Sequence, residues 1–91
     1  MGLKALLTVD LEKNVTNEQR EIFNRKLNEL MWNKLETLTN AWVSSFKENI
    51  TAFTALAETK KDVKAAADAA NIKMYHCAVQ FCQDEPHLFE A

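Results

Sequence analysis

The chain has 91 residues, a formal net charge of −2 and a sequence pI near 5.6. This length predicts a single domain, residues 1–91, in which one hydrophobic core is just sufficient. The acidic balance supplies no basic field for non-specific nucleic-acid binding, so RNA is a disfavoured partner. No stretch approaches the ~18 apolar residues of a membrane span, and the first apolar run is too short for a signal peptide. We therefore expect a cytoplasmic protein without membrane contact.

The first two predicted elements are a strand and a helix. Residues 4–11 alternate between apolar and other side chains, which is typical of a strand with one buried face. The apolar face carries Ala5, Leu7, Val9 and Leu11. Thr16 and Gln19 then form a capping box, which predicts a helix with Phe23, Leu27, Leu30 and Met31 on its inner stripe.

The centre of the chain, residues 32–56, is dense in threonine, aromatic and β-branched side chains. This composition favours strands over helices. We predict a β-hairpin, with one strand over residues 34–46 and its partner over 50–56. The polar break at 47–49 would be the connection between them.

A helix, a strand and a tail complete the predicted elements. Thr59 and Asp62 make a second capping-box pattern, which predicts that the second helix begins there. Residues 74–82 predict the last strand. Its face toward the core would carry Tyr75, Cys77, Val79 and Phe81. Residues 83–91 are expected to be flexible or to dock on a partner through Leu88 and Phe89.

The order β-α-β-β-α-β predicts an α+β fold, a ferredoxin-like sandwich with two helices on one face of an antiparallel sheet. An all-α bundle is the alternative, because no glycine or proline occurs between Leu3 and Glu85, which is unusual for hairpins. Several central apolar residues also fit a helical stripe at spacings of three and four. They are Met31, Leu35, Leu38, Trp42, Phe46, Ile50 and Phe53.

The two cysteines are expected to be reduced thiols. Cys77 and Cys82 are five positions apart, an odd spacing that places them on opposite faces of a strand and prevents a disulfide. Their spacing with His76 and His87 is not that of a structural zinc site. We predict no metal ion and no cofactor.

The predicted sheet face opposite the helices is unusually apolar for a monomer. It would carry Leu6, Leu38, Trp42 and Phe46. Exposed apolar patches of this kind usually mark an interface. The sequence therefore predicts a non-catalytic interaction module, accessory or regulatory, that forms a homodimer through this face or through the tail.

A small set of residues on the same predicted face makes enzymatic activity an alternative. Asp10 ends the first strand, where a carboxylate could bind a metal ion or act as a base. His76 has an unperturbed pKa near neutrality and is a candidate acid–base group, and Ser44 lies near Trp42 in the sequence. A small-molecule pocket at Trp42 and His76 is a further alternative. Nucleotide-binding and zinc-protease motifs do not occur in the chain.

The segments TVDLEKN and WNKLETLTNAWV resemble one group of small ferredoxin-like proteins. The group comprises the type V toxin–antitoxin endoribonuclease antitoxin, VapD-type ribonucleases and the CRISPR adaptation nuclease-like subunit. The matching residues, in the first half of the chain, are Val9, Asp10, Leu11, Trp32, Lys34, Leu35, Thr39, Trp42 and Val43. The resemblance implies a homodimer in which two Asp10 side chains face each other near the axis and cleave or bind RNA.

Overall fold

The computed structural model describes residues 2–36, 38, 40–87 and 89. Its elements are β1 (Lys4–Leu11), α1 (Asn17–Glu29), β2 (Asn33–Lys34), β3 (Ala41–Ser45), α2 (Ala52–Ala69) and β4 (Tyr75–Cys82). The fold is α+β, as predicted, and the all-α alternative is wrong.

The strands form a four-stranded antiparallel sheet in the order β2-β3-β1-β4. β1 pairs with β3 over residues 4–8 and with β4 over residues 4–11. Because β2 also runs antiparallel to β3, each helix connects two parallel strands that have a third strand between them. The first strand has its predicted bounds, and the last begins one residue after the predicted start.

One face of the sheet carries the hydrophobic core. Ala5, Leu7 and Val9 of β1 are at most 5% exposed. Both helices cover this face, so burying a side chain such as Leu7 contributes roughly 1.5–3 kcal/mol to folding. The helical residues in the core cluster are Phe23, Leu27, Val63, Ala66 and Ala67. The predicted inner stripe of α1 is confirmed for Phe23 and Leu27, and Leu30 is partly buried against the core. It is wrong for Met31, which lies beyond the helix end and is 77% exposed.

The predicted capping box of α1 is confirmed. The Gln19 amide donates to Thr16 Oγ1 at 3.1 Å, and the Thr16 amide donates to Gln19 Oε1 at 2.9 Å. Gln19 Nε2 also donates to the carbonyls of Ala70 and Asn71, both at 3.2 Å. The cap therefore also ties the start of α1 to the end of α2.

The central hairpin is shorter than predicted. The predicted strand over 34–46 contains a strand pair of its own, since β2 turns back into β3 and the Leu35 amide donates to the Ala41 carbonyl at 2.9 Å. Two residues of the connection, Thr37 and Thr39, lie outside the described residues. A hairpin thus forms inside what the sequence pattern presents as one strand.

The predicted face of β3 is wrong. Trp42 lies directly opposite Leu7 of β1, and Ser44 opposite Ala5, so both point toward the helices. Trp42 is only 2% exposed. Because successive strand side chains alternate, a pairing offset of one residue exchanges the two faces, and the large indole occupies the buried one.

The predicted strand over 50–56 and the predicted helix start at Thr59 are also wrong. The N-cap of α2 is Thr51, whose Oγ1 accepts a hydrogen bond from the Thr54 amide at 3.1 Å. Thr59 lies inside the helix, 2% exposed, and its hydroxyl donates to the Ala55 carbonyl at 2.8 Å. Because its hydroxyl bonds to the carbonyl of the preceding helical turn, Thr59 is an interior residue of α2 and does not act as an N-cap.

Two helix ends show how the chain turns without glycine. After α1, Met31 has φ 75°, and the amides of Met31 and Trp32 donate to the carbonyls of Asn28 and Leu27. After α2, Asn71 has φ 57°, and the amides following Ala70 bond in the same pattern. Both ends are Schellman motifs, in which glycine is the usual left-handed residue.

Candidate functional site on the open sheet face

The sheet face opposite the helices carries no helix in the described part of the chain, and we call it the open face. One of its residues, Ala41, is nonetheless only 2% exposed. The cross-strand register arranges its side chains in four rows. From one end of β1 to the other, the rows are Ser45 with Lys4 and Cys82, Val43 with Leu6 and Gln80, Ala41 with Thr8 and Ala78, and Asp10 with His76.

The middle of the open face is mainly apolar and its ends carry opposite charges. Leu6 and Val43 are half-buried neighbours at its centre, and Gln80 is the exposed partner of Leu6 on β4. Thr8 and Ala78 are exposed in the next row. Lys4 stands at one end of β1 and Asp10 near the other. The arrangement lets a second surface of the same pattern pack against it.

The Lys4 end is bordered by the C-terminal segment. Lys4 Nζ donates to Ser45 Oγ at 3.0 Å and forms an ion pair with Glu85 Oε1 at 3.2 Å. A recess of about 270 Å³ lies between residues 84–87 and the sheet, with Leu6 and Gln80 in its wall. The described part of the tail therefore returns to the edge of the open face.

The other end brings two of the three candidate catalytic residues together. Asp10 and His76 are cross-strand partners, and both are exposed. Ser44 does not join them, because it lies on the helix face and its hydroxyl donates to the Met31 carbonyl at 2.9 Å. The register therefore places a carboxylate and an imidazole side by side without a serine nucleophile, and the described ion pairs do not join them.

The residues predicted as interface have different positions. Leu6 lies on the open face, and Leu38 is 44% exposed in the β2–β3 connection. Phe46 is half-buried and stacks edge-to-face on Trp32 and Phe81, with ring centroids 6.2 and 5.9 Å apart. The predicted position of Phe46 on the open face is therefore wrong, as is that of Trp42. In the tail, Phe89 is 89% exposed, whereas Leu88 lies outside the described residues.

The alternative of a pocket at Trp42 and His76 fails because the two side chains are on opposite faces of the sheet. The cysteines are free and also lie on opposite faces, Cys77 opposite Val9 and Cys82 opposite Lys4. The described residues contain no group of three or more histidine, cysteine, aspartate or glutamate side chains able to hold a metal ion.

The sequence interpretation misses Val43 and Ser45 as members of the open face. An available signal was the size of their neighbours, since burying Trp42 on a five-residue strand exposes its odd-numbered residues.

Comparisons with known proteins add no relative. No family model matches the chain, and neither a curated protein nor a solved structure matches it. Among the described residues, no helix has the length and apolar character needed to cross a membrane.

Proposed function

We propose that the protein is a non-catalytic interaction module with a ferredoxin-like fold, and that it acts as a homodimer joined through the open face. The element order β-α-β-β-α-β supports the fold, together with the sheet order in which each helix connects strands that flank a third.

The observation that carries the dimer is the position of Leu6 between Lys4 and Asp10 on one uncovered strand face. A two-fold axis in the plane of the interface and perpendicular to β1 makes the two β1 strands antiparallel. If the axis passes near residue 7, Lys4 of each copy lies across from Asp10 of the other. Leu6 of each copy then lies next to the axis, across from Thr8 of the other. The contact is then self-complementary, as a two-fold interface requires.

The size of the face allows only a weak, transient dimer. The four strands have 8, 2, 5 and 8 residues, and spacings of ~3.3 Å per residue and ~4.8 Å per strand give about 360 Å². Two copies would bury about 700 Å² in total, below the ~1,000 Å² of a stable specific interface. Each peripheral ion pair would contribute only about 0.2–1 kcal/mol, so the apolar centre supplies most of the affinity.

Light scattering over a range of concentrations tests the dimer. The wild-type mass should approach twice the 10.4 kDa of one chain, and Leu6→Glu should shift it to the monomer because it buries an unpaired charge. Phe53→Glu is the matched control, since Phe53 is 83% exposed on α2, which packs on the other face. A wild-type monomer at every concentration contradicts the proposal.

Charge reversal tests the orientation of the two copies. Lys4→Glu and Asp10→Lys should each weaken the dimer by placing like charges together, and the double variant should restore it. If the double variant dimerises as weakly as the weaker of the two single variants, the two β1 strands do not pack in this antiparallel orientation.

Asp10 and His76 support a second candidate function, RNA cleavage. Their pairing across the strands gives a base and an acid on one exposed surface, as acid–base cleavage of a phosphodiester needs. Asp10→Asn and His76→Gln should then each abolish cleavage of an RNA substrate while the protein stays folded, whereas Asp68→Asn should leave cleavage unchanged. Lack of cleavage by the wild-type protein would remove this candidate.

A further inference from the structure

A separate recess lies on the helix side of the molecule, at the end of β1 far from Lys4. It has a volume of about 180 Å³. Its floor is apolar and is formed by Val9, Leu11, Phe23 and Trp42. It is independent of the open face, because Val9 and Trp42 point toward the helices.

Polar side chains from three parts of the fold form the walls of this recess. Arg20 and Asn24 come from α1 and are four residues apart, so they lie on the same side of the helix. Lys34 comes from β2, where it pairs with Trp42. Asn40 is held at the end of β1, because its carbonyl accepts a hydrogen bond from the Val9 amide at 2.9 Å.

These donors are not engaged within the described part of the chain. The ion pairs found there join Lys4 with Glu85 and Lys64 with Asp68, so they involve neither cation of the recess. The side-chain hydrogen bonds described also involve none of the four residues. Lys34 Nζ lies 5.9 Å from the centroid of the Trp42 ring, which keeps the ammonium group over the recess.

We propose that this recess binds the phosphate group of a small phosphate monoester. Such a group carries a charge of about −1.5 to −2 at neutral pH and three strong acceptor oxygens. Arg20 and Lys34 match its charge, and the amides of Asn24 and Asn40 add neutral donors. The apolar floor strengthens this attraction because it lowers the local dielectric constant.

The size of the recess limits the ligand. Its volume of about 180 Å³ lies below the ~300 Å³ at which pockets for drug-sized ligands begin, and it leaves room for a group as small as phosphate. The esterified group must therefore remain at the mouth of the recess. A carboxylate or a phosphodiester brings only one negative charge and leaves one cation unmatched.

Nuclear magnetic resonance titration of the full chain with methyl phosphate tests the site. Saturable shifts are expected for the Arg20 Nε–H and for the side-chain amides of Asn24 and Asn40. Arg20→Gln and Lys34→Gln should each weaken binding by about tenfold or more, since each removes a charge-assisted hydrogen bond. Arg25→Gln is the matched control: it removes the same charge from the same helix, outside the recess, and should leave binding within about twofold.

Three results would overturn the proposal. The first is an absence of saturable binding by methyl phosphate. The second is an equal loss of affinity in Arg20→Gln and Arg25→Gln, which would indicate non-specific attraction. The third is equal affinity for acetate or dimethyl phosphate, because the site would then not select a dianion. The Trp32 indole signal reports whether each variant is folded. The mass of each variant in solution should equal that of the wild type.

Discussion

The indole Nε1 of Trp32 donates a hydrogen bond to Asp62 Oδ2 at 3.0 Å. Trp32 follows α1 and is 1% exposed, whereas Asp62 lies within α2. The bond therefore joins the two helices, and it gives Asp62 a structural role different from the cap that the sequence pattern predicts.

Replacing Asp62 should destabilise the protein markedly. Asp62→Ala leaves the buried indole N–H without its partner, which costs about 1–3 kcal/mol. Urea unfolding followed by tryptophan fluorescence measures the change. Asp68→Ala is the control: it removes a carboxylate from the same helix whose ion pair with Lys64 is exposed, and it should cost less than about 1 kcal/mol. Equal effects would show that the Trp32 contact contributes no special stability.

Replacing Met31 by glycine should stabilise the protein. Met31 has φ 75° and is 77% exposed, so its side chain contributes little packing while its backbone occupies the left-handed region. That region costs a residue with a Cβ about 1–2 kcal/mol, partly offset by the greater entropy of glycine in the unfolded chain. We expect the free energy of unfolding, measured by heat or urea denaturation, to rise by about 0.5–1 kcal/mol.

Asn71→Gly provides the comparison for Met31→Gly. Asn71 also has a positive φ, but asparagine tolerates this conformation better. Its gain should therefore be smaller. A loss of stability in Met31→Gly would contradict the role assigned to the backbone at this helix end.

The start of α2 can be checked at its N-cap. Thr51→Ala should cost about 1 kcal/mol, because the Thr54 amide loses its acceptor. Thr51→Asp should retain most of the stability, since aspartate is an equally good cap. Chemical denaturation of the three proteins measures both. If the alanine variant is neutral, Thr51 does not cap the helix.

The free energy of unfolding should depend on alkaline pH because of Cys77. It shares a hollow with Leu56 and Val63, and burial raises the pKa of the Cys77 thiol above its ordinary value. The folded state then holds the proton more tightly than the unfolded state. This contribution to stability is complete below the unfolded pKa and is lost as the pH rises through the folded pKa.

Alkylation and denaturation at increasing pH measure this effect. Iodoacetamide should modify Cys77 in the folded protein more slowly than in the urea-unfolded chain at the same pH. The decline in stability at alkaline pH should be smaller in Cys77→Ser than in the wild type. Cys82→Ser should show the same decline as the wild type. Equal rates at Cys77 in the folded and unfolded protein would contradict the raised pKa.

Local sequence patterns are sufficient for β1, β4 and the start of α1. The alternation from Ala5 to Val9 predicts the buried face of β1, and Thr16 with Gln19 predicts the cap. Both signals depend on side chains within a few residues of one another. Tertiary contacts are therefore not needed to predict these elements.

The tertiary structure decides where Trp42 and Thr59 lie. Threonine-rich composition favours strands near residue 51, but Ala55, Ala66 and Ala67 form a small-residue face that buries α2 against the sheet. That packing outweighs the weak local preference for strand. Thr59 is then a buried helix residue, and its capping-box pattern has no structural effect.

The open face and the recess beside Val9 are likewise set by contacts between distant residues. Local sequence sets the composition of each strand and the alternation of its side chains. The pairing of Leu7 with Trp42 across two strands then fixes which side of β3 is buried. The pairing of Lys34 with Trp42 places Lys34 in the wall of the same recess as Arg20. Neither result can be read from one strand, because register is a long-range property and one residue of offset exchanges the two faces of a strand.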